Sequence, residues 1–383
     1  MIAVGLMSGT SLDGIDAALV RIKPKGPSYD FELLNFITVP FDDALDAELR
    51  SALPPNVATA ATIASLHRRL GGAFGRAARK VSSGLSIDYV ASHGQTIWHD
   101  GERHMTMQIG DAFVIREMTF STVCYDFRSA DCAAGGHGAP LVPYVDALLL
   151  SAGDEDRVAL NVGGIANVTA LPRGMAAHDV SAFDIGPGNM LIDAFVRERT
   201  SGGLAMDEDG ALAAGGTVDA TALAELLHDP YFLAAPPKST GREYFGAQFL
   251  HAYDHLLAKL DLRDGLATLT ELTAAAIAQE ILAMGLERAR VLVSGGGARN
   301  STLMRRLSAR LPLARVESTD RVGLPGDAKE AIAFAVLGYE TLRERAANVP
   351  RVTGAARAVS LGGIAPFDFA RLYAEVQREC QLS

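Results

Sequence analysis

Two short runs of small residues set the frame for this chain. Ile2 to Met7 reads as a buried strand, Ser8-Gly9-Thr10-Ser11-Leu12-Asp13-Gly14 as a tight turn, and Ile15 to Ile22 as the returning strand. The order recurs later as a strand from Arg157 to Asn161, the turn Val162-Gly163-Gly164, and a strand from Ile165 to Leu171. After the first hairpin the patterning gives an apolar β-branched stretch from Phe31 to Val39 and helices over 44–53 and 60–81. A short strand over 88–92, a helix over 111–119 and a strand over 121–125 follow. After the second hairpin it gives a strand over 181–185 and helices near 187–200, 218–228, 246–260 and 267–285. A strand over 290–294, a helix over 301–311, a strand over 314–317 and a helix over 327–346 complete it. The spacing therefore predicts a duplicated α/β fold, repeated in pattern with little identity between the halves.

Composition narrows the function classes. At 383 residues the chain is long enough for two domains, and 49% hydrophobic with 21% charged residues excludes disorder. A net charge of -10 argues against nucleic acid and anionic membranes as partners. Three cysteines, Cys124, Cys132 and Cys380, with no CxxC, argue against a disulfide framework or a cysteine zinc site and fit a reducing cytoplasm. The N-terminal apolar run is short and lacks basic residues, so it reads as a strand rather than a signal peptide. No run of about 18 apolar residues stands out, so no membrane span is expected.

The 38 glycines cluster, and the clusters are where chemistry is expected. A turn of Gly, Ser and Thr can aim backbone N–H groups at phosphate oxygens. Any hairpin wants glycine, but two matched turns opening matched halves shift the balance toward a phosphate clamp. It is not a P-loop, because a strand follows rather than a helix. In so acidic a chain polyphosphate calls for Mg2+, and Asp13 and Asp16 beside the first turn are the candidate carboxylates; Asp13 is equally a turn residue. Gly295, Gly296 and Gly297 close a strand ahead of a helix starting at Ser301, where a nucleoside can lie close. Asp184, inside the apolar run Phe183-Asp184-Ile185 and before Gly186-Pro187-Gly188, is a costly place for a carboxylate unless it is used. It reads either as an N-cap or Asx-turn residue or, more favoured by its glycine-flanked setting, as catalytic, with Pro187 opening the next helix. Arg128 either grips a substrate carboxylate or joins Asp126 and Asp131 in an ion-pair cluster. His93 either bonds a sugar hydroxyl or is a satisfied core histidine. His93, His99 and His104 do not share a helix face, which disfavours zinc.

Seven segments in order carry a resemblance: MSGTSLDGID (7–16), SHGQTIWH (92–99), ADCAAGGHGAPLVP (130–143), NVGGIANVT (161–169), FDIGPGN (183–189), SGGGARN (294–300) and GDAKEAIAFA (326–335). Together the set resembles the anhydro-N-acetylmuramic acid kinases. The resemblance implies the actin, hexokinase and Hsp70 architecture: an α/β fold of two duplicated RNase H-like domains, 1–127 and 128–383, with an interdomain cleft and a final helix able to pack back on the first domain. It implies that ATP, Mg2+ and water convert 1,6-anhydro-N-acetylmuramic acid to N-acetylmuramic acid 6-phosphate, in peptidoglycan recycling in the cytoplasm. By the same resemblance Asp184 is the catalytic aspartate. The family's nucleotide loop falls on Ser8, Gly9, Thr10, Ser11, Leu12, Asp13, Gly14 and Ile15, and the glycine reading above adds Gly163, Gly164, Gly295, Gly296, Gly297 and Asn300 as nucleotide residues. Arg128 matches the family's sugar-site arginine and Glu330 its GDAKEA-like glutamate, and the residue reading adds His93 as a sugar-site candidate and Asp13 as a candidate Mg2+ ligand. The family more often has Gln, Gln and His where Ser129, His137 and Arg299 stand. A small amino sugar and ATP are the expected partners, with a homodimer left open. The competing readings are an ordinary hexose or N-acetylhexosamine kinase of the same fold and a non-catalytic nucleotide-dependent binding module.

Overall fold

The computed structural model describes residues 1–9, 12–26 and 28–382. Its strands are β1 (Ile2–Ser8), β2 (Ile15–Lys25), β3 (Ser28–Val39), β4 (Tyr89–Asp100), β5 (Met105–Ile109), β6 (Thr122–Tyr125), β7 (Arg157–Val162), β8 (Ile165–Leu171), β9 (Ser181–Pro187), β10 (Arg290–Ser294), β11 (Arg315–Ser318) and β12 (Gly363–Ala365). Among the described residues they form two sheets. One runs β12-β6-β4-β1-β2-β3 with β5 paired to β4, and the other β11-β10-β7-β8-β9. Leaving out β5 and β12, both follow one plan. Three antiparallel strands are laid down consecutively, and two further strands then add in parallel beside the first. Two sheets with one topology are the duplicated RNase H-like fold.

The chain divides into two compact units, Met1–Leu149 with Ala176–Asp179 and Ala328–Ser383, and Leu150–Met175 with Val180–Asp327. This differs from the expected boundary between 127 and 128. The reason lies in the helix Lys329–Leu342, which packs on β1, β2 and β4 although it follows them by more than two hundred residues. Glycine makes that packing possible: a Cβ on Gly5 would stand 1.8 Å from Ala331 O. The opposite face of the sheet is covered by the helix Ala60–Ser82, capped by Thr59 and burying Leu66, Leu70, Phe74 and Val81. Each such side chain contributes about 1.5–3 kcal/mol when fully buried.

In the second unit the helix expected over 267–285 runs from Leu262 to Ala283 and is long and apolar enough to cross a membrane by length and composition, although no apolar run of that length is expected from the sequence. It is the core helix here, with 78% of its most apolar window buried inside the unit. Other elements also differ from expectation. The strand expected over 88–92 runs on to Asp100 because β5 pairs with its second half. Pro187 ends β9 rather than opening a helix, and the helix begins at Met190. The helix expected over 246–260 is two short pieces, Ala247–Ala252 and Asp254–Leu257.

Candidate active site

The first turn is braced from β4. Ser8 Oγ lies 2.8 Å from Gly14 O and 2.6 Å from Gln95 Oε1, and Gln95 Nε2 donates to Gly9 O at 3.2 Å. Ser8 is therefore turned inward and shapes the turn. Leu12 and Ile15 are buried, Gly14 is buried, and Asp13 is exposed. Thr10 and Ser11 lie outside the described residues. Asp16 accepts from Thr38 Oγ1 at 2.6 Å.

Arg128 sits nearby in the same unit. Its Nε donates to His93 Nε2 at 3.0 Å, and its Nη1 donates to Gly138 O at 2.8 Å. His93 Nδ1 is 2.8 Å from Gly94 O, and a carbonyl only accepts, so the proton is on Nδ1 and the ring is neutral. Burial and then the Arg128 charge push His93 down to about 3, which agrees. The ion-pair alternative for Arg128 does not hold. Asp131 is spent on Gly138 N, Asn348 Nδ2 and Thr353 Oγ1, and Asp126 on Ser129. Arg128 has no salt-bridge partner among the described residues, and burial holds its pKa below the usual arginine value. With Nε given to His93 and one Nη1 hydrogen to Gly138 O, Nη2 and the second Nη1 hydrogen remain for a carboxylate. Glu330, second residue of the helix Lys329–Leu342, is reached by solvent yet crowded by protein. That crowding pushes its carboxyl up, the Lys329 and Arg128 charges oppose the shift, and Asp16 and Asp13 add to it. Lys329 is clamped to Asp146 at 2.8 Å, which fixes the start of that helix.

In the second unit Asp184 lies on β9, the edge strand. Ala166 faces Gly186 and Asn167 faces Asp184, so Ile185 is an extra residue and β9 bulges there. Bulges re-aim side chains, and Asp184 is half-buried between the buried Phe183 and Ile185. The edge is closed by residues 238–240. Asp184 N donates to Lys238 O at 3.0 Å, while Ser239 Oγ and Thr240 N donate to Asp184 Oδ2 at 2.9 and 3.1 Å. Oδ1 has no hydrogen-bond partner among the described residues. Burial raises the Asp184 pKa above the ordinary aspartate value. The Thr240 and Ser239 bonds pull it back, and the Glu243 charge adds to the rise.

The second turn packs on the start of the helix Met190–Arg199: Gly188 N and Met190 N donate to Gly164 O, and Asn189 N to Gly163 O. Gly295, at φ +78°, lies against Asn161 and Val162, so the 295–297 segment and this turn are brought together. Gly163 and Gly296 differ from their neighbours. Neither has a positive φ, and a Cβ on either would meet nothing closer than 3.8 and 3.5 Å. The protein's own packing does not require glycine at these two positions. Asn300 caps the helix Ser301–Arg310 through Oδ1 to Leu303 N, a structural task for its carboxamide oxygen.

The site residues thus gather in two sets, one per unit. Sequence reasoning missed Lys238, Ser239 and Thr240, which carry no motif and lie more than fifty residues from Asp184. Gln95 stood within SHGQT and was overlooked as the brace of the first turn.

A family model described as anhydro-N-acetylmuramic acid kinase matches residues 1–367. Proteins of that name are similar over nearly their whole lengths. One from Xanthomonas axonopodis pv. citri is 47% identical, covering 95% of this chain and 97% of its own. One from Streptomyces coelicolor is 43% identical (96% and 94%), and one from Caldanaerobacter subterraneus subsp. tengcongensis is 41% identical (95% and 96%). Among solved structures, the activator of the 2-hydroxyisocaproyl-CoA dehydratase from Clostridium difficile with bound ADPNP is 14% identical at a TM-score of 0.42, covering 88% of this chain and 94% of its own.

Proposed function

We propose a division of labour among the residues of this chain, which belongs to the anhydro-N-acetylmuramic acid kinase family. The activity is ATP-dependent phosphorylation of 1,6-anhydro-N-acetylmuramic acid. Its substrate dictates the rest: O6 is tied to C1 in the anhydro bridge, so phosphorus can join O6 only as the C1–O6 bond breaks. Water adds to C1 and gives its proton to Asp184. The electron pair of the broken bond stays on O6, which takes the γ-phosphoryl group as ADP leaves. The product is N-acetylmuramic acid 6-phosphate.

The observation that carries the assignment is Asp184 Oδ1, an oxygen without a hydrogen-bond partner among the described residues on a carboxylate made more basic by burial. General-base help of this kind is typically worth ~10²–10⁴ in rate. The N–H groups of Arg128 not given to His93 and Gly138 O suit the lactyl carboxylate, and the neutral His93 supports the guanidinium from behind. Glu330 accepts from a sugar hydroxyl. The turn at Gly9 and the turn at Gly163–Gly164 hold the ATP phosphates, and residues 295–297 lie beside the adenosine. The glycines at 163 and 296, which packing does not demand, support that reading.

Mg2+ fits the same residues in one mode. No cluster of three or more His, Cys, Asp or Glu able to hold a metal occurs among the described residues, so a resident cage is not available. Asp13 and Asp16 supply the one or two carboxylates that suffice when phosphates and water complete the shell. Bound there, the ion would offset phosphate charge. We place the reaction in the cytoplasm, where ATP is at hand. Turnover in 18O-water tests the scheme. Label at C1 and none in the phosphate is expected, whereas an ordinary sugar kinase leaves C1 unlabelled once slow anomeric exchange is subtracted.

A further inference from the structure

We propose that Ser239 is a positioning residue for Asp184, and that Lys238-Ser239-Thr240 forms a strap that decides which carboxylate oxygen takes the proton. The inference rests on Asp184 being the base. Both strap donors converge on Oδ2, the Ser239 hydroxyl at 2.9 Å and the Thr240 amide at 3.1 Å. Negative charge is thereby held at one oxygen, and Oδ1 is left as the oxygen that can receive a proton. A carboxylate on a bulged edge strand would otherwise be free to turn. The two bonds also favour the ionised form, against the burial that disfavours it.

The strap is pinned from below by a separate set of contacts. Lys238 Nζ pairs with Glu280 at 2.7 Å, with side chains 6% and 13% exposed. It also donates to Tyr231 O at 3.2 Å and lies over the Tyr231 ring, while Tyr231 OH donates to Asp184 O at 2.8 Å. On either side the chain is exposed, over 233–237 and 242–244. Lys238 therefore holds the strap whether or not Ser239 keeps its hydroxyl. Removing that hydroxyl alters Asp184 without releasing the segment.

The test compares Ser239→Ala and Ser239→Thr with the parent and with Asp184→Asn, using the full chain. In Ser239→Ala the acid limb of the kcat–pH profile should move to higher pH, because a bond that favours the carboxylate is gone. At neutral pH kcat should fall about three- to tenfold, the loss of a hydrogen bond to a charged group near the surface. KM for ATP should stay within about twofold, and the melting temperature should match the parent. Ser239→Thr, which keeps a hydroxyl, should restore the limb. An acid limb and kcat equal to the parent in Ser239→Ala overturn the proposal, as does a loss that Ser239→Thr fails to restore. An active Asp184→Asn removes the base reading and this inference with it. An inactive Asp184→Asn beside an unaltered Ser239→Ala removes the inference alone.

Discussion

Arg128 Nε donates to His93 Nε2 across 3.0 Å, and this one bond settles two matters. It fixes the imidazole as the Nδ1–H tautomer and, together with the Nη1 bond to Gly138 O, leaves the guanidinium Nη2 and one Nη1 hydrogen for a ligand. Arg128→Lys keeps the charge but cannot bond His93 and a carboxylate in the same way. KM for the sugar should rise about tenfold or more, as expected when a bidentate charged pair is lost. KM for ATP should change little. Steady-state kinetics with each substrate varied in turn check this, and an equal rise in both would refute the assignment.

Asp184→Asn keeps the side chain's size and an acceptor for Ser239 and Thr240, and removes the charge that takes the proton. We expect kcat to fall by ~10²–10⁴ while Mg-ATP still binds. Isothermal titration with a non-hydrolysable ATP analogue and single-turnover rates provide the two readouts. Near-parent turnover would move the role of base to Glu330 or Asp13.

The same substitution has a consequence for stability. The folded pKa of Asp184 lies above its unfolded value, chiefly through burial, so between the two values the folded state binds more protons. Stability contributed by this group is then lost as pH rises through that window. Asp184→Asn should melt no lower than the parent at neutral pH, and any advantage should vanish below about pH 3.9, where both states are protonated. Thermal melts across pH check the sign. A variant clearly less stable at neutral pH would mean that the carboxylate has a structural task.

Gly163→Ala separates ligand effects from folding. The new Cβ would meet nothing within 3.8 Å, so the melting temperature should hold within a degree or two. If phosphate approaches this backbone, KM for ATP should rise about tenfold while KM for the sugar stays near that of the parent, since an added methyl there costs a few kcal/mol at most. Unchanged ATP kinetics would take the second turn out of the nucleotide site.

How much was readable beforehand depended on the range of the interactions. The two hairpins announced themselves through Gly, Ser and Thr in short turns between apolar runs, a local code. Asp184 stood out because a carboxylate in an apolar strand needs a reason, also a local argument. β5 and β12 escaped notice because Met105–Ile109 fully buries only Ile109 and Gly363–Ala365 has three residues, so neither offers a run of core residues; partners made them strands. Arg128 stayed undecided in sequence because Asp126 and Asp131 flank it. The Gly138 amide and the distant Asn348 and Thr353 show where the Asp131 charge is spent. The strap on Asp184 is of the same kind, a tertiary contact with no local signature.

The close seat of Ala331 against Gly5 bears on how the polypeptide is made. During synthesis β1, β2 and β4 emerge early, but one face of their sheet has no cover until residues 329–342 leave the ribosome. Most of the second unit, residues 180–327, emerges as one continuous stretch before then. The segment translated first is thus the last to be finished. For most of its time on the ribosome it carries an apolar sheet face that a chaperone can hold.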